Sequence, residues 1–472
     1  MKKIISFLLA TLLCGTAAVS LIGCDTDRGG DGGTDTDTKD QYVKIEQFDY
    51  NNAEHINWYG RTYIEENATV TMYPDGQEDT RAYENVHWFN FSASGFEVTF
   101  KGTELKATFI ANNSGWYDGE TLNINEWRPV LKVFVDGKDD PSQAVATIDL
   151  DSDYEKEYTL VSGLSDDYHT VKVLKTSEVI NGSNALTGLT TDGEFYEPPA
   201  KPVRKIEVYG DSITCGVGIM DGEDIDSNGT SFTEDGTATY AGIVARHFNA
   251  QYNVVARAGR ALLRADAGNG HRDASDVFPN EENLTEGSDE YKAAYAAWVR
   301  DEQKDMTVYD DWQAADFYTT SAEEKVGWDF SSYQPDVVLI NLGTNDFGFL
   351  NVAYYMDDGE VDEEEQVLVD QFIADFKARY ETFVDELHGK YPNAKIVALW
   401  GMMVEGYMYE DFEGFIQSLV EDSETPRTYL SALKLASMND YADDIRLNHP
   451  GKQAHEVSAA ILAEHLSEIL GW

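Results

Sequence analysis

Residues 206–216 read Ile-Glu-Val-Tyr-Gly-Asp-Ser-Ile-Thr-Cys-Gly, and this stretch decides the fold. A short strand, Ile206–Tyr209, runs directly into Gly-Asp-Ser, so the hydroxyl of Ser212 lies at the carboxyl end of that strand. Short strands alternate with amphipathic helices over residues 203–472, and this alternation predicts an α/β domain with a three-layer, doubly wound parallel sheet. Open sheets of this type bind ligands at the carboxyl ends of their strands, so a site is expected around Ser212.

Apolar runs and helical periodicity divide this region into individual elements. The predicted strands are residues 206–209, 253–256, 337–342 and 396–399, and the predicted helices are residues 240–248, 363–390 and 451–470. Residues 265–329 are longer and more acidic than a simple connection requires. They are predicted to form a partly helical insertion over one edge of the site.

Residues 41–202 have a different pattern. Their apolar residues alternate with period two in short runs that end at Gly or Asp, for example at residues 95–102, 130–137 and 169–175. This pattern predicts an antiparallel β-sandwich domain. Three prolines within residues 197–202 cannot lie inside a sheet, and they predict a stiff connector to the second domain, residues 203–472.

The first 40 residues predict export rather than a folded core. Residues 1–23 contain two lysines, an apolar run and the start of a Leu-Ile-Gly-Cys tetrad, which resembles the lipobox of a bacterial lipoprotein signal peptide. Lipid on Cys24 would anchor the protein to the membrane, at the cell surface or on the periplasmic side of the envelope. Residues 24–40 are acidic, rich in Thr and Gly and almost without apolar side chains, so they predict a flexible linker.

Charge and cysteine content narrow the possible partners. The formal net charge is −51, from 86 acidic residues against 35 Lys and Arg residues. Such a surface repels phosphate backbones, which argues against a nucleic-acid partner and disfavours anionic polymers as substrates. Cys14 and Cys24 belong to the predicted signal and lipid site, so Cys215 is the one thiol of the folded part, predicted as a small buried side chain without a disulfide.

Acyl transfer by a serine requires a base, and His449 is the best candidate. It lies in Leu-Asn-His-Pro-Gly just before the last helix, whereas His455 and His465 fall inside that helix and are predicted to be packed or exposed. Negative charge that develops on the ester oxygen must be met by hydrogen-bond donors. The predicted donors are the backbone amides of Ser212 and Gly259 and the side-chain amide of Asn345.

These residues resemble a known family. Gly-Asp-Ser-Ile-Thr at 210–214, Gly259, Gly-Thr-Asn-Asp at 343–346 and His-Pro at 449–450 are similar to the four sequence blocks of SGNH (GDSL) hydrolases, in the same order. The layout resembles carbohydrate esterase family 2, in which a jelly-roll domain precedes the SGNH domain. Further similar segments are residues 95–103, 133–137, 175–178 and 328–336.

The resemblance implies a serine hydrolase that acts on carboxylic esters. Its expected reaction is removal of acetyl groups from plant polysaccharides or oligosaccharides of the xylan or mannan type, through an acyl-enzyme on Ser212. It implies no metal ion and no organic cofactor. Two alternatives stay open: an SGNH esterase for another ester, either a lipid or an O-acetylated wall glycan, and a non-catalytic glycan-binding lipoprotein.

One position departs from the SGNH pattern. An aspartate commonly lies three residues before the catalytic histidine, but this chain has Arg446 there, and a guanidinium cannot accept the imidazole N–H. Some members of family 2 resemble this chain in using a Ser–His dyad whose ring is held by a backbone carbonyl. We therefore predict a dyad of Ser212 and His449, with Asp444 as the one nearby acid that could substitute.

Two weaker patterns complete the predictions. Aromatic faces can stack on sugar rings, and Trp400 and Trp312 are the best candidates to line the crevice. Residues 224–235 contain oxygen ligands at calcium-loop spacing but lack the final glutamate, so an acidic surface loop is favoured over a metal site.

Overall fold

The structure is a computed structural model that describes most of the chain from residue 42 onward. The described residues are 42–72, 79–112, 116–117, 122–123, 128–151, 155–220, 231–265, 283–285, 287–301, 311–313, 327–355, 361–403 and 412–472. The predicted signal peptide, Cys24, the linker and residues 224–230 of the acidic run lie outside this set, as do parts of the predicted insertion. Within the set, no helix is long and apolar enough to cross a bilayer.

The amino-terminal half is built from antiparallel strands. In chain order they are β1 (Asn57–Tyr59), β2 (Tyr63–Glu66), β3 (Thr69–Met72), β4 (Asp79–Ala82), β5 (Asn85–Trp88), β6 (Gly95–Gly102), β7 (Leu105–Asn112), β8 (Trp116–Tyr117), β9 (Leu122–Asn123), β10 (Val130–Val135), β11 (Ala146–Asp149), β12 (Lys156–Val161), β13 (Asp167–Lys175), β14 (Ser183–Thr191) and β15 (Glu194–Tyr196).

Two sheets of these strands form the predicted sandwich. One has the order β1-β6-β13-β10-β11, with β15 paired to β6, and the other has the order β12-β7-β14-β5-β2. Alternate side chains of β6 and β13, among them Phe96, Val98 and Val171, are fully buried in the core between the sheets. β3 pairs with β4 and β8 with β9 as separate two-stranded ribbons.

The carboxyl-terminal half contains the parallel sheet. Its strands are β16 (Arg204–Gly210), β17 (Ala250–Ala256), β18 (Val337–Asn341), β19 (Lys395–Trp400) and β20 (Leu430–Lys434), in the order β17-β16-β18-β19-β20. The helices are α1 (Ser212–Cys215), α2 (Tyr240–His247), α3 (Asp289–Asp301), α4 (Thr344–Tyr355), α5 (Glu363–Lys390), α6 (Phe412–Val420) and α7 (Lys452–Leu470). Short 3-10 turns occupy residues 141–143, 179–181, 311–313 and 438–444.

Strand alternation produces the three layers. Val337 and Leu339 of β18 pack with α2 and α7, whereas Val338 and Ile340 pack with α3, α4 and α5 on the opposite face. All four side chains are fully buried, as expected for a parallel strand covered on both sides. The predicted fold class, a doubly wound parallel sheet preceded by an antiparallel sandwich, is confirmed.

The sequence missed some elements. β20, α4 and α6 were not predicted, and β18 ends at Asn341, one residue earlier than expected. β20 lies at the sheet edge and most of its side chains are half-buried, so it has no continuous apolar run that would reveal it. In the described part of the predicted insertion, α3 and the 3-10 turn at residues 311–313 are helical.

The sandwich and the parallel sheet pack against each other within one compact unit, Val43–Trp472. Phe91 and Val179 of the sandwich half belong to the same apolar cluster as Tyr209 of the parallel sheet. A fully buried ion pair joins Arg61 to Glu207 across the junction. Lys132 forms a second ion pair across the junction, with Asp235 at 2.5 Å.

Those contacts correct one prediction. The carboxyl-terminal end of the acidic run at residues 224–235 is not a surface loop, because Ser231, Glu234 and Asp235 are buried. Asp235 neutralises Lys132 and accepts the backbone N–H of Thr237, so its charge is used in joining the two halves. Local sequence could not reveal this, since Lys132 lies more than 100 positions away.

Candidate active site

Ser212 lies where β16 ends and α1 begins. Asp211 caps this short helix, and its Oδ1 accepts the N–H of Ile213 at 3.0 Å. A Cβ on Gly210 would lie 2.1 Å from Thr214 Oγ1, so only glycine allows the chain to turn this sharply. The turn leaves Ser212 at the carboxyl edge of the sheet with 6% of its surface exposed.

His449 reaches Ser212 from a tight two-residue turn. The backbone of Arg446 and His449 is bridged by two hydrogen bonds of 3.2 and 2.7 Å, and the two residues between them, Leu447 and Asn448, have φ of 51° and 57°. Positive φ at both central positions is characteristic of a type I′ turn. The turn brings His449 Nε2 to 2.8 Å from Ser212 Oγ.

The other ring nitrogen identifies the tautomer. His449 Nδ1 lies 2.7 Å from the carbonyl oxygen of Leu447, which can only accept a hydrogen bond. Nδ1 therefore carries the proton, and the lone pair of Nε2 accepts the hydroxyl of Ser212. Burial lowers the pKa of His449 below its usual value of 6.5, although the Leu447 carbonyl acts in the opposite direction. The ring is thus neutral and basic at neutral pH.

Asp444, the nearby acid, and Arg446, at the usual position of the triad acid, both have other partners. Asp444 Oδ2 accepts the N–H of Gln453 in the first turn of α7 at 2.6 Å. Arg446 turns its guanidinium to the carbonyl oxygens of Asp443 and Ile445. Within the described residues, the partner of His449 Nδ1 is a backbone carbonyl, which is the arrangement expected of a dyad.

The three predicted oxyanion donors lie near the carboxyl edge of the parallel sheet. Gly259 is the third residue of a turn closed by Arg260 N–H and Arg257 O at 3.3 Å, and its φ of 75° is that of a type II turn. Asn345 lies in the first turn of α4, where its Nδ2 donates to Arg260 O at 2.9 Å and lies 3.3 Å from Asp211 Oδ2. The structure therefore brings the Gly259 turn, Asn345 and the end of β16 together.

Asp346 holds the loop that contains Gly259. Its carboxylate accepts the backbone N–H groups of Leu262, Leu263 and Arg264 at 2.6–3.0 Å. Burial raises the pKa of Asp346 to about 6, although these three donors act in the opposite direction. Asp346 belongs to the Gly-Thr-Asn-Asp block, but the sequence alone assigns it no role, because its partners lie more than 80 positions away.

A second buried carboxylate reaches this loop from the sandwich. Glu178 Oε2 accepts the N–H of Ala258 at 2.7 Å and lies 3.7 Å from the sulfur of Cys215. The prediction that Cys215 is a small buried side chain is confirmed. The sequence alone assigns Glu178 no role either. The one indication was that it belongs to the segment 175–178, which resembles the family.

The two tryptophans have different positions. Trp312 is 3% exposed and packs on Phe330 and Phe383 in the core, so the prediction that it lines the crevice is wrong. The carbonyl oxygen of Trp312 accepts a hydrogen bond from the guanidinium of the buried Arg61, which holds this segment against the core. Trp400 ends β19 at the carboxyl edge and is half-buried, with its substrate-binding role still a prediction.

Comparison with known proteins adds two family matches. Residues 80–199 match the model described as carbohydrate esterase 2 N-terminal, and residues 282–425 match the GDSL-like lipase/acylhydrolase family. Ser212 and His449 lie outside both matched segments, so their assignment rests on the geometry above.

Comparisons that cover most of this chain agree with these matches. The chain is 25% identical over 387 residues to cellulase/esterase CelE of Acetivibrio thermocellus, covering 81% of this chain but only 38% of that relative. It is 25% identical to an acetylxylan esterase/glucomannan deacetylase of Cellvibrio japonicus, covering 89% of this chain and 90% of the relative. A solved family two carbohydrate esterase from Cellvibrio japonicus superposes with a TM-score of 0.60 at 21% identity, covering 89% of this chain and 96% of that one.

Proposed function

We propose that this chain, which carries a carbohydrate esterase family 2 N-terminal domain followed by a GDSL-like hydrolase domain, removes acetyl groups from neutral plant polysaccharides or their oligosaccharides. One observation carries the proposal. The Nε2 atom of His449 lies 2.8 Å from Ser212 Oγ while its Nδ1 is held by a backbone carbonyl, which is the geometry of an activated serine nucleophile.

The first half of the reaction forms an acetyl-enzyme. As Ser212 Oγ attacks the acetyl carbonyl, its proton moves to His449 Nε2, and the carbonyl oxygen becomes an oxyanion. The predicted donors to it are the backbone amides of Ser212 and Gly259 and the side-chain amide of Asn345, which must turn one N–H from Arg260 O or Asp211 Oδ2 toward the oxyanion. The tetrahedral intermediate then expels the sugar oxygen, which takes the proton from His449 and leaves as a free hydroxyl.

The second half regenerates the enzyme. Water gives a proton to His449 Nε2 and attacks the acetyl carbonyl of Ser212, and a second oxyanion collapses to release acetate. Ser212 recovers its proton from His449. In both halves the Leu447 carbonyl, rather than a carboxylate, holds the imidazolium that forms transiently, so the turn at Leu447 and Asn448 does the orienting.

The substrate class is supported by similarity and by charge. A relative that matches this chain along most of both sequences is named acetylxylan esterase/glucomannan deacetylase. The net charge of −51 also favours a neutral polymer over an anionic one. The lipid anchor at Cys24 stays a prediction from sequence, since residue 24 lies outside the described residues.

Acetate release from acetylated xylan and acetylated glucomannan tests the proposal. We expect Ser212→Ala to lower kcat by about 10⁴-fold or more, because a serine nucleophile cannot be replaced by the remaining groups. Ser332→Ala removes an exposed serine hydroxyl outside the site and should leave the rate unchanged. Equal release by wild type and Ser212→Ala would refute the esterase, and faster turnover of long-chain acyl esters than of acetylated sugars would point to a lipid substrate.

A further inference from the structure

The sandwich half places a buried carboxylate against the catalytic half. Glu178 immediately precedes the 3-10 turn at residues 179–181 and is 2% exposed. Its Oε2 atom accepts the N–H of Ala258, the residue before the oxyanion donor Gly259, at 2.7 Å. The same oxygen lies 3.7 Å from the sulfur of Cys215, which is on the helix that begins with Ser212.

The contact with Cys215 is a hydrogen bond from a thiol. Burial, together with the neighbouring carboxylates, raises the pKa of Cys215 well above its usual value, so the sulfur keeps its hydrogen. The Cys215 S–H therefore donates to Glu178. One carboxylate oxygen thus contacts both the segment that carries the nucleophile and the turn that carries an oxyanion donor.

A further buried carboxylate lies beside Glu178. Glu234 is the second buried carboxylate nearby, and its Oε1 accepts the N–H of Glu178 at 2.6 Å. Burial and the proximity of Glu178 raise the pKa of Glu234 well above its usual value.

The Gly259 turn is thus held on both sides. On the hydrolase side, Asn345 donates to the carbonyl of Arg260, and Asp346 accepts the three amides that follow the turn. On the sandwich side, Glu178 holds the N–H of Ala258 at the beginning of the turn. Without this acceptor, the direction of the Gly259 amide would depend on the turn alone.

From this geometry we propose that Glu178 is a positioning residue of the esterase, through which the sandwich domain sets the orientation of the Gly259 oxyanion donor. The proposal rests on the esterase function above and assigns the sandwich a part in turnover, in addition to any role in binding sugar. Glu178 does not touch substrate. It acts through Ala258 and Cys215.

Three variants at this position separate positioning from folding. Glu178→Gln keeps an amide oxygen that can accept the Ala258 N–H, so its kcat should stay within about fivefold of wild type. Glu178→Leu removes the acceptor, and because loss of one oxyanion donor costs about 10²–10³ in kcat, a misaligned donor should cost about 10- to 100-fold. Glu178→Asp keeps a carboxyl group but is one methylene shorter, so its kcat should lie between those of Glu178→Gln and Glu178→Leu. It keeps the test decisive if Glu178→Leu does not fold.

The measurements are kcat and KM for p-nitrophenyl acetate and for an acetylated xylo-oligosaccharide, with melting temperatures for every variant. Positioning predicts a lower kcat for both substrates and a KM within threefold of wild type. Glu97→Leu removes another buried sandwich carboxylate, which contacts Tyr59 and Asn57 instead, and should leave kcat unchanged.

Several outcomes would overturn the proposal. The first is that Glu178→Asp and Glu178→Leu have the same kcat as wild type. The second is that Glu97→Leu loses as much kcat as Glu178→Leu. The third is that Glu178→Gln loses as much kcat as Glu178→Leu. Failure of the proposed function looks different, since wild type would then release no more acetate than Ser212→Ala.

Discussion

At the scale of single residues, the missing acid is replaced by backbone geometry. Leu447 and Asn448 both adopt left-handed φ, which costs roughly 1–2 kcal/mol for a residue with a Cβ and is least unfavourable for asparagine. That conformation places the Leu447 carbonyl 2.7 Å from His449 Nδ1. A peptide dipole thus fixes the tautomer, although it carries no full charge to stabilise the imidazolium.

The pH profile should report this arrangement. Burial lowers the pKa of His449, and none of the carboxylates among the described residues raises it. We therefore expect kcat/KM to be constant near neutrality and to fall only below pH 6.5, as the base becomes protonated. The profile of acetyl release against pH, fitted to one ionisation, measures that midpoint. A midpoint at or above 7 would contradict a carbonyl-held histidine.

The pH profile of activity needs a control for acid unfolding, because unfolding is expected over the same pH range. Burial lowers the pKa of His87 and His455 to about 3, so between pH 6.5 and 3 these two side chains bind more protons in the unfolded chain than in the folded chain. Stability contributed by these neutral rings is therefore lost progressively as the pH falls from about 6.5 toward 3. Enzyme incubated at each pH and assayed at pH 7.5 must recover full activity before a midpoint is assigned to His449.

At the scale of elements, Asp444 serves the helix and not the catalytic ring. α7 begins after Gly451, which has no side chain to cap it, and Asp444 supplies an oxygen to the N–H of Gln453 from outside the helix. A Cβ on Gly451 would lie 1.8 Å from the Asp444 carbonyl oxygen, so glycine is required for this close approach. The loop between β20 and α7 is thereby fixed, and His449 with it.

Asp444→Ala should accordingly affect stability more than turnover. Loss of a capping carboxylate costs about 0.5–2 kcal/mol, so the free energy of unfolding should fall by that amount while kcat changes less than threefold. Denaturant unfolding and acetyl release measure the two effects, with the exposed neighbour Asp443→Ala as the matched control. A loss of kcat comparable to that of Ser212→Ala would mean that Asp444 acts as a triad acid.

At the scale of the whole molecule, the two halves share one core and several buried polar contacts. The guanidinium of Arg61, at the end of the β1 segment, donates to Glu207 and Tyr209 of β16 and to the Trp312 carbonyl. Both members of the ion pair are fully buried. Tyr391 also donates to Glu207 Oε1 at 3.1 Å, so Arg61, Tyr209 and Tyr391 converge on one oxygen of this carboxylate.

Breaking this ion pair should destabilise both halves together. Arg61→Met leaves the Glu207 carboxylate buried without its cation, which costs about 3–5 kcal/mol. The double variant Arg61→Met/Glu207→Leu removes the unpaired charge and should be more stable than Arg61→Met alone. Thermal unfolding followed by both tryptophan fluorescence and circular dichroism should show one coincident transition in wild type; two separate transitions would contradict a shared core.

Periodicity and motif order, both local in the chain, were enough to predict the fold class. The predicted helix 363–390 is reproduced residue for residue, since its amphipathic pattern and the capping box at Asp362 lie within the segment itself. The pairing of Ser212 with His449 was also within reach, because Ser212 follows the end of a strand and His449 lies in the turn before the last helix.

Only the tertiary structure decided how that pair is held. The Leu447 carbonyl, the carboxylate of Glu178 and the three amides on Asp346 act through backbone atoms or across large sequence separations, and the residue types alone do not encode them. The burial of Trp312 and of Asp235 was missed for the same reason, because whether an aromatic or acidic side chain faces solvent depends on which distant segment packs over it. The sequence by itself determined the fold class and the reactive groups, whereas backbone geometry and contacts between distant segments determined how those groups are oriented.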